Sequence, residues 1–326
     1  VDPDEMTFFL TKGYLWVDFF FILSGFVMSY VYDIEHPQRH SIRDTFHYLI
    51  ARIARIYPLH LISLVATLLF FITVALINWG LEKEFCCVYD GSLRNAESLV
   101  ANLFLIHAWG MFDWVTWNLP SWSLSAEFFC YLIFAALLTL DGENRELALV
   151  ALSCTAVFFY CLCLATGSDV DENFRLSTVR AASAFTIGIM LFMGRKVISA
   201  ISESYLSSIQ IVASIALLLA LHFGLADVLS IALMALIVLV TWEDRGYLCN
   251  CLTMRHMHTI GLLSFSIYMW HYLIKFIAKN DWELYTGLPL QSSAAGSILF
   301  VACLIGLVIP ISVCSYRFLE MPARKW

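Results

Sequence analysis

Long apolar stretches separated by short polar segments are the feature that most restricts the fold of this chain. They cover residues 15–32, 58–79, 98–110, 122–140, 146–166, 179–194, 207–223, 225–242, 259–279 and 293–316. Most are long enough to cross the ~30 Å hydrocarbon core of a bilayer as a helix. The chain is also 60% hydrophobic and only 14% charged, whereas soluble domains are roughly 45–50% apolar and about 25% charged. The sequence therefore predicts an all-α, polytopic transmembrane helical bundle without a soluble domain.

The positive charges predict how the bundle is oriented, because Lys and Arg concentrate in cytoplasmic loops. Arg39, Arg43, Arg52 and Arg55 place segment 33–57 in the cytoplasm, and the tail after residue 316 carries further basic residues. Segments 80–97 and 280–292 are acidic or neutral and are expected outside. The 98–110 stretch, ~13 residues at 1.5 Å each, is too short to cross. We expect nine spans, one short re-entrant or interfacial helix, an outside N-terminus and a cytoplasmic C-terminus.

The ten cysteines do not have the spacing of a disulfide framework or a zinc site. Packing is the expected role of cysteines inside apolar stretches, such as Cys154, Cys161, Cys163, Cys303 and Cys314. Cys86-Cys87 and Cys249-x-Cys251 lack the paired spacing of zinc ligands. We expect no metal, no bound cofactor and no nucleic-acid partner, with the lipid bilayer as the surroundings.

The stretch "NLPSWSLSAEFFCY" places the carboxylate of Glu127 within an apolar segment. Ser123, Glu127 and Tyr131 are spaced i, i+4, i+8, so a helix puts them on one face. An ionisable residue inside a membrane segment is costly and marks a functional site by default. Either this face lines a cavity in which Glu127 is an acid/base or a substrate anchor, or a neutralised Glu127 ties two helices together by hydrogen bonds.

A second polar stripe follows "GLLSFSIYMWHYLIK". Ser264, Tyr268, His271 and Lys275 recur at i, i+4, i+7, i+11, which is one helical face. His271 is expected at a membrane depth similar to that of Glu127, where the two could act as an acid/base pair. The spacing alone favours the alternative, in which Tyr268 and His271 only satisfy hydrogen bonds within the bundle.

The stretch "ARIARIYPLH" carries Arg52 and Arg55 on one face at the cytoplasmic entry of a span. Forked guanidinium donors match phosphate oxygens, so the pair suits a phosphorylated ligand. From spacing alone, the stronger alternative is that both arginines fix the orientation of this span in the membrane or bind anionic lipid. Pro58 disfavours helix at Tyr57 and predicts a break there.

Two further stretches have simpler interpretations. In "WVDFFFILSGF", Asp18 stands near a span start, and Gly25, like Gly188, is expected to let two helices approach closely. In "YRFLEMPARKW", Arg317, Glu320 and Arg324 are expected to form an interfacial ladder of ion pairs.

Taken in order, "GYLWVDFFFILSGF", "RIARIYP", "LPSWSLSAEFFCY", "SFSIYMWH" and "YRFLEMPARKW" resemble acyltransferase family 3, whose membrane proteins O-acylate cell-surface and secreted glycans. The resemblance implies acyl-CoA binding by Arg52 and Arg55 on the cytoplasmic side. It also implies a cavity near the reaction centre that is lined by residues of these motifs. The residues expected to line it, beside Glu127 and His271 as catalytic candidates, are Ser24, Gly25, Trp117, Trp122, Ser123 and Tyr268.

The chain departs from the family pattern at its start. Members usually begin with a further span in which an Arg is followed eleven residues later by a His taken as the catalytic base. That span would precede Gly13, so we expect residues 1–326 to be one domain lacking its first transmembrane helix, and no histidine here inherits that role.

The resemblance implies a membrane O-acyltransferase that transfers an acyl group, most often acetyl, from the co-substrate acyl-CoA (acetyl-CoA) to a carbohydrate hydroxyl. We expect it in the plasma (inner) membrane. The alternative is a proton-coupled small-molecule transporter, in which Glu127 and His271 relay protons. A weaker third possibility is a degenerate family member that only binds a partner.

Overall fold

The fold is built from helices whose bounds follow the apolar stretches closely. The computed structural model describes residues 8–9, 11–35, 40–81, 94–171, 174–286 and 294–323, with the backbone alone at 77–81, 279–286 and 294–298. Its helices are α1 (Leu15–Val31), α2 (Ile42–Leu81), α3 (Ala96–Leu103), α4 (Ser121–Thr139), α5 (Gly142–Thr166), α6 (Ser177–Gly194), α7 (Glu203–His222), α8 (Asp227–Val240), α9 (Tyr247–Leu252), α10 (Arg255–Thr286) and α11 (Ala294–Ser315). No β-strand occurs in these ranges.

Eight of the described helices are long and apolar enough to cross a membrane: α1 with the 3₁₀ turn before it, α2, α4, α5, α6, α7, α10 and α11. The ninth predicted span forms α8, an apolar helix of 14 residues. The 98–110 stretch forms only the eight-residue α3 before the chain turns, and at 1.5 Å per residue that helix reaches about 12 Å. The predicted fold class, a polytopic helical membrane bundle, is confirmed.

The predicted break at Pro58 is wrong. Pro58 lies inside α2, which continues from Ile42 to Leu81, so much of the expected 33–57 loop is the first part of this helix. A proline removes one hydrogen bond and crowds the carbonyl four residues earlier. In a membrane helix, neighbouring helices and local adjustments can satisfy the freed backbone groups, so the helix does not end there.

The chain divides into two compact units, each made from separate stretches of sequence. The first contains Val1–Tyr48, Ala108–Asp113 and Ala126–Met257. The second contains Leu49–His107, Trp114–Ser125 and His258–Trp326. Both units therefore draw on parts of the chain that are distant in sequence.

In the first unit, α1 packs most extensively on α6, and two glycines determine how closely. A Cβ added at Gly25 would lie 2.0 Å from the carbonyl oxygen of Phe185, and one added at Gly188 would lie 2.0 Å from that of Ile22. Each glycine thus faces the backbone of the opposite helix, as is common in membrane helix pairs. The prediction that both are helix-packing positions is confirmed.

Arg145 fixes the corner between α4 and α5. The buried guanidinium donates hydrogen bonds to the carbonyl oxygens of Leu137 and Leu140, at the end of α4, and to that of Ile34 beyond α1. Carbonyls at a helix end lack intrahelical partners, so this one side chain satisfies carbonyl groups at the end of α4 and in the turn after α1. Asp141 caps α5 by accepting a hydrogen bond from the Asn144 amide at 3.0 Å.

In the second unit, an apolar cluster of Leu64, Phe71 and Trp117 joins α2 to the segment before α4. The side chain of Trp270 on α10 donates a hydrogen bond to Ser315 Oγ on α11 at 2.7 Å, and Ser266 donates one to the buried carboxylate of Glu320. Arg317 is exposed. The predicted ion-pair ladder is untested at Arg324, which lies outside the described residues. So do Cys86-Cys87, Arg39, residues 82–93 of segment 80–97 and residues 287–292 of segment 280–292.

Candidate active site

The carboxylate of Glu127 is held from two directions in the first unit. Tyr131, one turn further along α4, donates a hydrogen bond from its hydroxyl to Glu127 Oε1 at 2.6 Å. Ser24 on α1 donates to the same oxygen at 3.2 Å. Glu127 is half-buried, and among the described residues no side chain or amide donates to its Oε2. The arrangement holds one carboxylate oxygen in place and leaves the other able to accept a hydrogen bond.

The position of Ser24 follows from the close packing of α1 on α6. The next residue, Gly25, is buried against the backbone of α6, which fixes the depth and rotation of α1 at this point. Tyr131 is buried in turn and packs edge-to-face on Tyr48, with ring centroids 6.3 Å apart. The predicted i, i+4 relation of Glu127 and Tyr131 is therefore a direct hydrogen bond, and Ser24 belongs to the same cluster.

The second unit contains a separate polar group around Tyr268. Its hydroxyl lies 3.0 Å from Ser123 Oγ and donates a hydrogen bond to the carbonyl oxygen of Pro120. His271 Nδ1 lies 2.6 Å from the Tyr268 carbonyl oxygen, which can only accept, so Nδ1 carries the proton. Neutral His271 then has its lone pair on Nε2, the nitrogen suited to accept a proton.

Glu127 belongs to the first unit, whereas Ser123, Tyr268 and His271 belong to the second. Ser123 was predicted to lie on a polar helix face, and it forms a hydrogen bond with Tyr268 of α10. The acid/base pairing of Glu127 with His271 stays a prediction.

Arg52 and Arg55 lie in the same part of α2 but differ in burial. Arg52 is half-buried and Arg55 is exposed. Arg52 begins a row of positions at helical spacing along one face of α2, which continues through the buried residues Ile56, His60, Ser63, Thr67 and Phe71. We call this row the α2 stripe. Arg52 thus stands at the end of a row of buried residues, three of which are polar, and acyl-CoA binding by Arg52 and Arg55 stays a prediction.

A buried polar cluster that includes His60 of the α2 stripe was not predicted from the sequence. His60 Nε2 donates a hydrogen bond to the Asn102 carbonyl oxygen at 2.9 Å, and its ring stacks on His107 with centroids 6.1 Å apart. His107 Nε2 lies 3.2 Å from Ser121 Oγ. Burial lowers the pKa of His107, which lies outside the membrane-spanning helices, to about 3, so this imidazole is neutral at physiological pH. A histidine on a short, non-crossing stretch gave no periodic signal, which explains why it was missed.

The two tryptophans expected to line a cavity are both buried. Trp117 donates a hydrogen bond from Nε1 to Ser98 Oγ at 3.0 Å. Its backbone has φ +40°, a left-handed conformation that costs a bulky residue about 1–3 kcal/mol. Trp117 also lines a pocket, which is described below, whereas Trp122 is not among the lining residues of that pocket.

A buried ion pair in the first unit also went unpredicted. Arg180 on α6 forms a forked contact with Asp18 on α1, with Nη2 and Oδ2 2.6 Å apart, and it also pairs with Asp171. A charge in a membrane segment needs a partner, so the sequence indicates that Asp18 has one, but its spacing does not identify Arg180 as that partner.

Comparison with known proteins finds one matching family model and two related acyltransferases. The family model described as an acyltransferase domain, of acyltransferase family 3, matches residues 4–317. The chain is 23% identical over 339 residues to the peptidoglycan O-acetyltransferase OatA of Listeria monocytogenes, covering 96% of this chain and 51% of that protein. It is 33% identical over 126 residues to the acyltransferase MdmB of Streptomyces mycarofaciens, covering 38% of this chain and 28% of that protein.

The chain therefore spans about half the length of the first relative and less of the second. No solved structure matches it. Because the family model covers nearly the whole chain, the resemblance carried by the five motifs is confirmed, and this chain belongs to acyltransferase family 3.

Proposed function

We propose that this protein is a membrane O-acyltransferase that moves an acyl group, acetyl in the simplest case, from acyl-CoA to a hydroxyl of a carbohydrate. Family membership supports the reaction class. The name of the OatA relative, a peptidoglycan O-acetyltransferase, supports acetyl as the group and a glycan as the acceptor. The observation that carries the proposal is the Glu127 carboxylate, held through Oε1 by Ser24 and Tyr131 inside a membrane helix.

The chemistry requires a base at the acceptor and a polar environment at the thioester. The acceptor oxygen attacks the thioester carbonyl, a C–O bond forms and the C–S bond breaks. The hydroxyl proton passes to a base, which returns it to the departing sulfur, so that CoA leaves as a thiol. In this proposal Glu127 Oε2 accepts a hydrogen bond from the acceptor hydroxyl and orients it. His271, in the second unit, stays a predicted proton acceptor through Nε2.

Arg52 and Arg55 would bind the phosphates of CoA. Their guanidinium groups offer several donors in a fixed fork, which suits phosphate oxygens. Arg52 begins the α2 stripe, whose buried members include His60, Ser63 and Thr67. Arg52 itself is half-buried and Arg55 is exposed.

A binding experiment tests the donor. Radiolabelled acetyl-CoA should be retained by detergent-solubilised wild type and lost in the double variant Arg52→Ala/Arg55→Ala. The double variant Arg43→Ala/Arg317→Ala removes the same charge from two exposed positions and should retain the label. Equal retention by both variants would contradict the proposed donor site and favour the proton-coupled transporter.

We also propose that the protein lies in the plasma membrane with a cytoplasmic C-terminus, as its basic segments favour. A C-terminal green fluorescent protein fusion should then fluoresce, and a C-terminal alkaline phosphatase fusion should be inactive. The reverse pattern would contradict the orientation.

A further inference from the structure

The second unit contains a pocket that no part of the reaction scheme above uses. It is lined by Thr67 and Phe71 of α2, Tyr272, Leu273 and Phe276 of α10, Arg94, Trp117 and Asn118. Four of these eight residues are aromatic, and the lining carries one positive and no negative charge. The pocket is narrow and partly open to solvent, so it would take the edge of a ligand rather than enclose one.

The aromatic rings of the pocket form a connected group. Phe71 contacts Trp117 and Phe276, with ring centroids 6.4 and 5.9 Å apart, and Tyr272 stacks on Phe276 at 6.3 Å. The guanidinium of Arg94 lies over the Phe71 ring, 4.4 Å from its centroid. Aromatic faces beside a few fixed polar groups are typical of small-molecule sites.

Asn118 adds a hydrogen-bond acceptor whose identity is fixed by its neighbours. Its Nδ2 lies 3.4 Å from the carbonyl oxygen of Met269 and 3.2 Å from Ser63 Oγ. A carbonyl can only accept, so the amide nitrogen must face it and Oδ1 is the remaining acceptor. Asn118 is buried, and within the described part of the chain Oδ1 has no hydrogen-bond partner. Buried acceptors normally have a hydrogen-bond partner, so the missing donor to Asn118 Oδ1 indicates a ligand group.

We propose that this pocket is a carbohydrate subsite, which receives the edge of a sugar ring of the acceptor. Apolar C–H groups along that edge contact the half-buried ring of Tyr272, and a ring hydroxyl donates to Asn118 Oδ1. Arg94 adds a donor at the rim. The inference rests on the proposed function and names the element of this chain that recognises the acceptor class.

Saturation-transfer difference NMR with chitotriose as the probe tests the subsite in detergent-solubilised protein. Wild type should transfer saturation to the ring protons of chitotriose and much less to sorbitol, a polyol without a ring face. Tyr272→Ala should raise the apparent Kd for chitotriose at least fivefold. Phe70→Ala is the matched control, because Phe70 packs on Phe276 in the same cluster but does not line the pocket. It should change the Kd less than twofold.

The same samples are measured for acetyl-CoA retention, which Tyr272→Ala should leave unchanged. Asn118→Leu gives a second probe of the acceptor oxygen and should weaken chitotriose binding at least as much. Equal effects of Tyr272→Ala and Phe70→Ala, or equal saturation of sorbitol and chitotriose, would overturn the subsite. Loss of saccharide binding with acetyl-CoA still retained by wild type would overturn this inference alone, whereas failure of wild type to retain acetyl-CoA would count against the proposed donor.

Discussion

Asp18 and Arg180, separated by 162 residues, form a buried forked ion pair that joins α1 to α6. The same two helices meet at Gly25 and Gly188 further along. One ion pair and two glycine contacts therefore fix α1 against α6, and α1 carries the Ser24 that bonds to Glu127. The geometry of the candidate site thus depends on a contact that lies outside it.

Breaking this ion pair should destabilise the protein strongly. Asp18→Asn leaves the buried Arg180 charge with Asp171 as its remaining partner, so the cost should reach up to about 3–5 kcal/mol, the range for breaking a buried ion pair. Thermal unfolding in detergent should show a large fall in Tm. Arg175→Met, which removes the exposed partner of Asp113, is the control and should change Tm little. Equal effects of the two variants would show that the buried pair does not stabilise the fold.

The close approach of α1 and α6 should not tolerate a methyl group. Gly25→Ala or Gly188→Ala would place Cβ 2.0 Å from a backbone oxygen, so the helices must separate, at a cost of about 1–3 kcal/mol or more. Gly261→Ala in α10 is the matched control, since a Cβ there meets nothing within 4 Å. The expected result is a lower Tm for the first two variants alone, together with reduced transferase activity.

Removing the charge of Glu127 should reduce catalysis while the fold is retained. Glu127→Gln preserves an oxygen that can accept from Tyr131 and Ser24, but it lacks the carboxylate that would orient or deprotonate the acceptor. Loss of such a group lowers rates by about 10²–10⁴-fold. Acetyl transfer from labelled acetyl-CoA to membrane saccharide measures it. The same change at exposed Glu146 should have no effect, and wild-type activity in Glu127→Gln would remove this residue from the mechanism.

The buried His107 should make the fold sensitive to acid. Its pKa is lowered by burial from 6.5 to about 3 in the folded state. Between these values the unfolded chain binds a proton that the folded protein does not, so stability falls as pH decreases from 6.5 towards 3. Above pH 6.5 both states are neutral at this residue and no effect is expected. The slope is about 1.4 kcal/mol per pH unit between these limits.

The measurement is Tm in detergent at pH 7.5, 6.0 and 5.0 for wild type and for His107→Gln, which keeps a hydrogen-bonding group without titrating. The Tm of wild type should exceed that of His107→Gln by less as the pH falls, because only wild type loses stability through His107. His256→Gln, at an exposed position, is the matched control. A pH-independent difference between wild type and His107→Gln would contradict the assignment.

The bundle and the contact between Glu127 and Tyr131 followed from the sequence because the bilayer imposes simple rules on it. Apolar length predicted the spans, and helical spacing placed Tyr131 next to Glu127, where the structure has a hydrogen bond. The order of the five motifs identified the family. Pro58 was misjudged because a local preference against helix was overridden within a long membrane helix.

Contacts between distant segments were beyond the sequence. The bond from Ser24 to Glu127, the Asp18–Arg180 pair and the cluster of His60 and His107 each join residues from different helices or from an irregular segment. Periodicity reports which face of a helix is polar, but not which other helix that face meets. Only tertiary packing decides that, because buried polar groups must find partners wherever the fold brings donors and acceptors within about 3 Å of one another.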